Sequence, residues 1–304
     1  MTAAFLTTLF FSLSAIFANR SVRAVGSTRA NLGRLLFAAA VLGVYAHLAG
    51  GGLQGAGRDW LLLSGVIGMG LGDLAAFAAF PLLGSRLTVL MTQCLAAPIA
   101  MLAERLWLGT QLDRAELLWG FVILAGVIVA LLPSRANPPR VHIQPIGFLL
   151  GFLAACGQGL GAVTSRKANA LAALAGEPID GLTAAYQRII GGLAITLIYF
   201  AVRASLVRRP SLPIGSAIST NGRPPWRAYL WIPANALCGA IIGVSCYQWS
   251  LATTPSGIVL PIVACTPLVI VPLSYWIDGE RPTHRSLVGG AIAVAGCIAL
   301  TLSR

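Results

Sequence analysis

The stretch LLLSGVIGMGLGDLAAFAAFPLL, residues 61–83, decides the fold. A bilayer is crossed by about 20 apolar residues, and this run is 23 long with one formal charge. That charge, Asp73, sits near the middle, behind glycines at 65, 68, 70 and 72. A carboxylate at such depth costs at least about 2.5–3.5 kcal/mol on insertion scales, so it faces protein or water. Intramembrane acids are rare, which favours a functional Asp73 over one that only hydrogen-bonds a neighbouring helix.

Working outward, the whole chain has the same character. It has 304 residues, 57% hydrophobic and 10% charged, with a mean hydropathy of +0.82. Soluble proteins are about 25% charged, so this is the composition of a polytopic membrane protein. The net charge of +12 does not point to nucleic acid. All the basic residues but Lys167 are arginine, and they are scattered at the ends of apolar runs, where they snorkel to headgroups. The N-terminal MTAAFLTTLFF lacks a basic leader and reads as a retained helix. Cysteines 94, 156, 238, 246, 265 and 297 lie inside apolar runs without CxxC spacing and read as packing residues, not as disulfides or metal ligands.

Ten apolar runs can be marked, at 3–18, 32–49, 61–83, 87–107, 117–132, 146–163, 183–202, 229–251, 257–277 and 287–302. The longest polar interruption, 203–227, has the Pro, Gly, Ser and Arg content of a solvated loop. The segment PSRANPPRVHIQP, residues 133–145, is too proline-rich to continue a helix. A linker at 134–145 therefore divides residues 1–133 from 146–304, five runs on each side.

The two halves read as copies. Arg34 and Tyr45 match Arg188 and Tyr199, and FANR at 17–20 matches VTSR at 163–166. Further on, Phe77 matches Tyr247, Gly109 matches Gly279, and Ala125-Gly126 matches Ala295-Gly296, all at an offset of 170. Repeats with an odd number of spans sit inverted in the membrane, a transporter plan with its substrate site near the midplane. The fold expected is an all-α membrane protein of ten transmembrane helices in two inverted five-helix repeats. Small residues such as Gly147 and Gly151, Gly239 and Gly243, and Gly157, Gly159 and Gly161 are spaced for close helix contact. Tryptophans 60, 107, 226, 231 and 276 stand at run ends as interfacial anchors.

The tail of each half carries a family signal. It reads SGIVLPIVACTPLVIVPLSYWIDGERPTHRSLVGGAIAVAGCIAL from residue 256 and LTVLMTQCLAAPIAMLAERLWLGTQLDRAELLWGFVILAGVIVAL from residue 87, with Thr110 in place of Glu280. The Gly-Glu-Arg-Pro-Thr turn between a proline-bearing helix and a glycine-rich one resembles the EamA type of the drug/metabolite transporter superfamily. The resemblance covers essentially the whole chain. It implies a secondary carrier of the bacterial inner membrane, often an exporter of amino acids or related metabolites. It also implies a central cavity lined by helices one, three, four, six, eight and nine, and termini in the cytoplasm. Counting arginines on either side favours termini outside instead; the family's arrangement is preferred.

No motif of that family names the site, so candidates come from the residues. Asp73, Phe77 and Phe80 share a helical face. Tyr247 matches Phe77 and is followed by Gln248 and Trp249; Gln93 and Gln158 lie in the fourth and sixth runs. Together they offer aromatic walls, amides and one carboxylate, suited to a zwitterionic or cationic solute. Arg34 and Arg188 are candidates to hold a substrate carboxylate, or to snorkel or pair between helices. Asp73 is the candidate for proton coupling, without an acidic twin because Gly243 or Val244 takes its place. Glu104 and Glu280, at run ends, read as structural. The expected partners are a small-molecule substrate and the lipid bilayer; nothing asks for a cofactor or metal.

Two rival readings remain. Gly70-Leu71-Gly72-Asp73 resembles the GxGD string of intramembrane aspartyl proteases, whose chemistry needs two carboxylates sharing a proton. The other aspartates, 59, 113, 180 and 278, all lie at run ends or in turns. A non-transporting structural or sensory membrane protein explains the repeat but not a buried Asp73.

Overall fold

The computed structural model describes residues 1–131, 144–206, 226–270, 273 and 284–302. Nearly all of the expected linker, most of the loop at 203–227, and the GERPT turn with Glu280 and Trp276 lie outside the described residues. The described chain runs through α1 (Thr2–Val25), α2 (Ser27–Leu48), α3 (Arg58–Gly65), a π-helical segment π1 (Val66–Gly72), α4 (Asp73–Leu108) and α5 (Arg114–Leu131). It continues through α6 (Pro145–Leu174), α7 (Gly181–Leu206), α8 (Trp226–Tyr229), α9 (Trp231–Asn235), a second π segment π2 (Ala236–Gly243), α10 (Val244–Thr253), α11 (Ser256–Val263) and α12 (His284–Leu302). Among the described residues there is no strand. Helices satisfy their own backbone groups, which lipid cannot. Only Gly26 separates α1 from α2; its φ of 84° is a conformation that glycine adopts without a Cβ clash.

The helical backbone is unbroken from residue 58 to residue 108, where the sequence suggests a polar turn near residues 84–86. Its contacts with α6 show that it nevertheless doubles back. Ser64 Oγ lies 2.8 Å from Ser165 Oγ, a Cβ on Gly157 would stand 2.5 Å from Gly72 Cα, and one on Gly147 would stand 2.7 Å from Leu83. Beyond that point a Cβ on Gly151 would meet Met91 at 3.1 Å, one on Gly159 would meet the Ala96 carbonyl at 2.7 Å, and Arg166 bonds Glu104 at 3.2 Å. The partners on α6 first descend, 165 to 147, and then climb, 151 to 166. Two spans are therefore folded against one helix, the first antiparallel to α6 and the second parallel.

Seven helical stretches among the described residues are long and apolar enough to cross a membrane: Thr2–Val22, Ser27–Leu48, Arg58–Leu83, Thr88–Leu108, Pro145–Leu174, Gly181–Arg203 and Trp231–Thr253. The helix α5 and the shorter apolar stretches Ser256–Ile270 and Leu287–Leu300 stand where the fifth, ninth and tenth runs are expected. Large apolar side chains cover the outside: Leu48, Leu106, Leu174 and Leu302 are among the most exposed. In water such a surface would aggregate, whereas in lipid it costs nothing.

Close backbone approach at glycines carries several of the interior contacts. The segment π1 packs on α6 and α7, π2 packs on α1 and α2, and α5 packs on α12. At the Gly72–Gly157 crossing there is no room for any side chain. Gly157→Val should therefore lower stability by about 1–3 kcal/mol or more, whereas Gly290→Ala, inside α12 and meeting nothing within 4 Å, should keep it or raise it by up to about 1 kcal/mol. Thermal unfolding of the two purified variants in one detergent checks the contrast.

Candidate functional site

Two buried arginines and a half-buried carboxylate are carried by α2, α7 and α4. Arg34 and Arg188 each stand seven residues into their helices, α2 from Ser27 and α7 from Gly181, about 10 Å of rise in each case. Asp73 is the first residue after π1. A π turn widens the helix and shifts every later side chain round the axis, and such bulges recur at functional sites. Here the turn lets Asp73 face α2 while Gly65 and Gly68 stay pressed against Arg188.

Arg34 donates to the Asp73 carboxylate through Nη2, forming an ion pair between helices whose side chains are 10% and 27% exposed. Its Nε donates to Asn31 Oδ1 at 2.9 Å, and its guanidinium lies 5.4 Å from the centroid of the Phe77 ring. Phe77 makes an edge contact with Phe80, centroids 5.7 Å apart. Across the site the Arg188 guanidinium lies 5.7 Å from the centroid of Tyr247, which in turn tilts against Phe11 at 6.1 Å. Asp73 interacts electrostatically with both arginines. The cluster thus holds two positive charges and one negative, with aromatic rings from α1, α4 and α10 around it.

Of the residues singled out from the sequence, the structure groups Arg34, Asp73 and Phe77, and beside them Arg188 and Tyr247. Gln248 is buried on α10 with both amide atoms unpaired among the described residues. Gln93 and Gln158 are half-buried, and no hydrogen bond among the described residues ties either to the cluster. Trp249 is 56% exposed, on the outside of α10. The carboxylate expected to be open to a cationic solute is instead occupied by Arg34. Asn31 and Phe11 were not foreseen; Asn31 lies three residues before Arg34, hence on the same helical face, which is the one signal that points to it.

A second polar cluster sits at the end of the bundle where α1 begins and the second limb of the hairpin ends. Glu104, 2% exposed, accepts from the Ser256 amide at 2.7 Å, from the Ser256 hydroxyl, and from Arg166 Nε at 3.2 Å. Arg166 also donates to the Leu251 carbonyl at 2.9 Å. Glu104 therefore caps α11 and ties it to α6, in keeping with a structural role.

A protein-family model described as the EamA-like transporter family matches residues 1–132 and 145–302. The chain belongs to that family. This EamA-like protein is thus a membrane transporter of the drug/metabolite transporter superfamily, a group of transporters and not of enzymes. With its several apolar helices it is a multi-pass integral membrane protein. A solved structure described only as "Crystal structure of protein" is similar over 99% of this chain and 97% of that chain, with a TM-score of 0.72 and 18% identity, which shows a shared fold. None of the curated proteins matches it in sequence.

Proposed function

We propose that the protein is a secondary active carrier that exports small metabolites, such as amino acids or related amines, across the bacterial inner membrane. It does so by alternating access, with ten spans arranged as inverted repeats over residues 1–133 and 146–304 and both termini cytoplasmic. The repeat is supported by π1 and π2, which begin at Val66 and Ala236, 170 residues apart, the offset that also relates Phe77 to Tyr247. Packing is mirrored too, π1 on α6 and α7 as π2 on α1 and α2.

The observation that carries the reading is the charge cluster Arg34–Asp73–Arg188, contributed by both halves and set in the bundle interior. Ionisable groups in that position are costly and mark substrate and proton pathways. The protease alternative asks for a second carboxylate, and the partner that Asp73 has is Arg34. Gln248 and Tyr247 line the substrate site, with Gln93 and Gln158 further along the path.

Flux of radiolabelled amino acids, monocarboxylates, polyamines and quaternary amines in proteoliposomes, with and without an imposed pH gradient, tests the reading. Saturable uptake of at least one class is expected, and its absence across the whole panel overturns the carrier. Trp249→Ala, on the outer face and away from the charge cluster, should leave the rate within about twofold.

A further inference from the structure

Arg188 is 2% exposed, and its Nε has no hydrogen-bond partner among the described residues. None of its five donors reaches an acceptor there. An architectural arginine behaves differently: Arg166 donates both to Glu104 and to the Leu251 carbonyl. A buried guanidinium without acceptors is expensive, and such unmet groups call for an explanation. The nearest carboxylate, Asp73, is already bonded to Arg34. Symmetry supplies no second acid, because the position matching Asp73 falls at Gly243 or Val244; at Gly243 a Cβ would already meet the Phe11 ring at 2.6 Å, and Val244 is apolar.

The surroundings of Arg188 are shaped like a seat. A Cβ on Gly68 would stand 2.8 Å from Nη2, and one on Gly161 would stand 3.3 Å from it, so π1 and α6 present bare backbone to the guanidinium. Tyr247 lies to one side, its hydroxyl likewise buried and unpaired among the described residues. A planar fork of donors is matched by a carboxylate, which accepts two parallel bonds. Two guanidiniums and one carboxylate leave one positive charge uncompensated, so a single negative charge neutralises the site where a phosphate ester would overshoot.

We propose that Arg188 seats the carboxylate of a small organic monoanion, with Tyr247 against its apolar part. This rests on the carrier reading above and narrows it: of the solutes named there, the site recognises those that carry a carboxylate, through their acid end, and leaves out amines that lack one. Arg34 keeps Asp73 occupied, so an ammonium group has no free counter-charge to meet.

The test uses four probes with one hydrocarbon body: 3-phenylpropanoate, 3-phenylpropanamide, 3-phenylpropylamine and 2-phenylethyl phosphate. Each is titrated into the full-length protein in detergent and read by thermal shift, since a ligand of the native state raises its melting temperature. The propanoate should bind about tenfold more tightly than the amide, the scale of a charge-assisted bidentate pair. Arg188→Gln should abolish that preference and Arg188→Lys should keep part of it. The comparison of probes on the unaltered protein decides the matter even where a variant does not fold. Equal binding of acid and amide, a preference for the amine or the phosphate, or no binding by any probe overturns the carboxylate seat. Flux of an amine without any carboxylate preference overturns the seat and leaves the carrier standing, whereas absence of flux for every solute class overturns the carrier itself.

Discussion

Glu104→Ala should destabilise the protein by about 3–5 kcal/mol, the cost of removing one partner from a buried ion pair. The substitution strips Arg166 of its carboxylate and leaves the Ser256 amide and hydroxyl without their acceptor. Arg166 is 21% exposed and keeps its bond to the Leu251 carbonyl, which places the loss toward the lower end of that range. Glu104→Gln retains an acceptor for Ser256 but not the charge, and should cost less. Adding Arg166→Gln to it should recover part of the loss, because both charges then leave together. Denaturant unfolding in detergent measures all three. A Glu104→Ala protein as stable as the parent would mean that the cluster ties nothing together.

This acid was read from the sequence as structural only because it stands near the end of a run. What its side chain meets was not legible: Arg166 is 62 residues away and Ser256 is 152 away. The same limit explains the Arg34–Asp73 pair. The cost of a mid-span carboxylate singled out Asp73, and the match of Arg34 to Arg188 singled out both arginines. That Asp73 would turn toward α2 depends on π1, and a π turn has no compositional signature beyond the glycines that also serve close packing. A zwitterionic or cationic solute is the natural expectation for a lone acid; the ion pair changes the balance of the site.

Other features were legible because lipid simplifies the problem. Apolar runs of sufficient length mark spans, and the loss of polar turns at their ends is a local matter. In the hairpin at residues 58–108 the two spans were legible as runs 61–83 and 87–107, but the polar turn expected between them is replaced by backbone that stays helical through the reversal, which the contacts with α6 trace. Trp249 shows the opposite failure. Adjacency to Gln248 in sequence places it about 100° round the helix, and the turn carries it to the outside.

The second large effect concerns the acid at the centre. Asp73→Asn should abolish the response of flux to an imposed pH gradient while leaving downhill exchange. If Asp73 is the group that takes up the proton, Arg34 is its reporter: protonation removes the charge that holds the guanidinium, and the helices α2 and α4 lose their tie. The asparagine fixes the site in that neutral condition. It also raises the net charge of the cluster from one positive to two. With an effective dielectric constant of about 20, a charge at roughly 5 Å is worth about 3 kcal/mol, and partial exposure of Asp73 reduces this. An affinity for 3-phenylpropanoate at least about tenfold higher is therefore expected in the variant, alongside the loss of coupling. Asp73→Glu should restore the response to the gradient. Pairing with Arg34 is partly solvated, at 27% exposure of the acid, so the variant should fold where Glu104→Ala is severely weakened. Proton-linked flux that survives Asp73→Asn unchanged would refute the coupling role. The two interior acids thus separate by what their loss does: stability fails with one, and the link between proton and solute fails with the other.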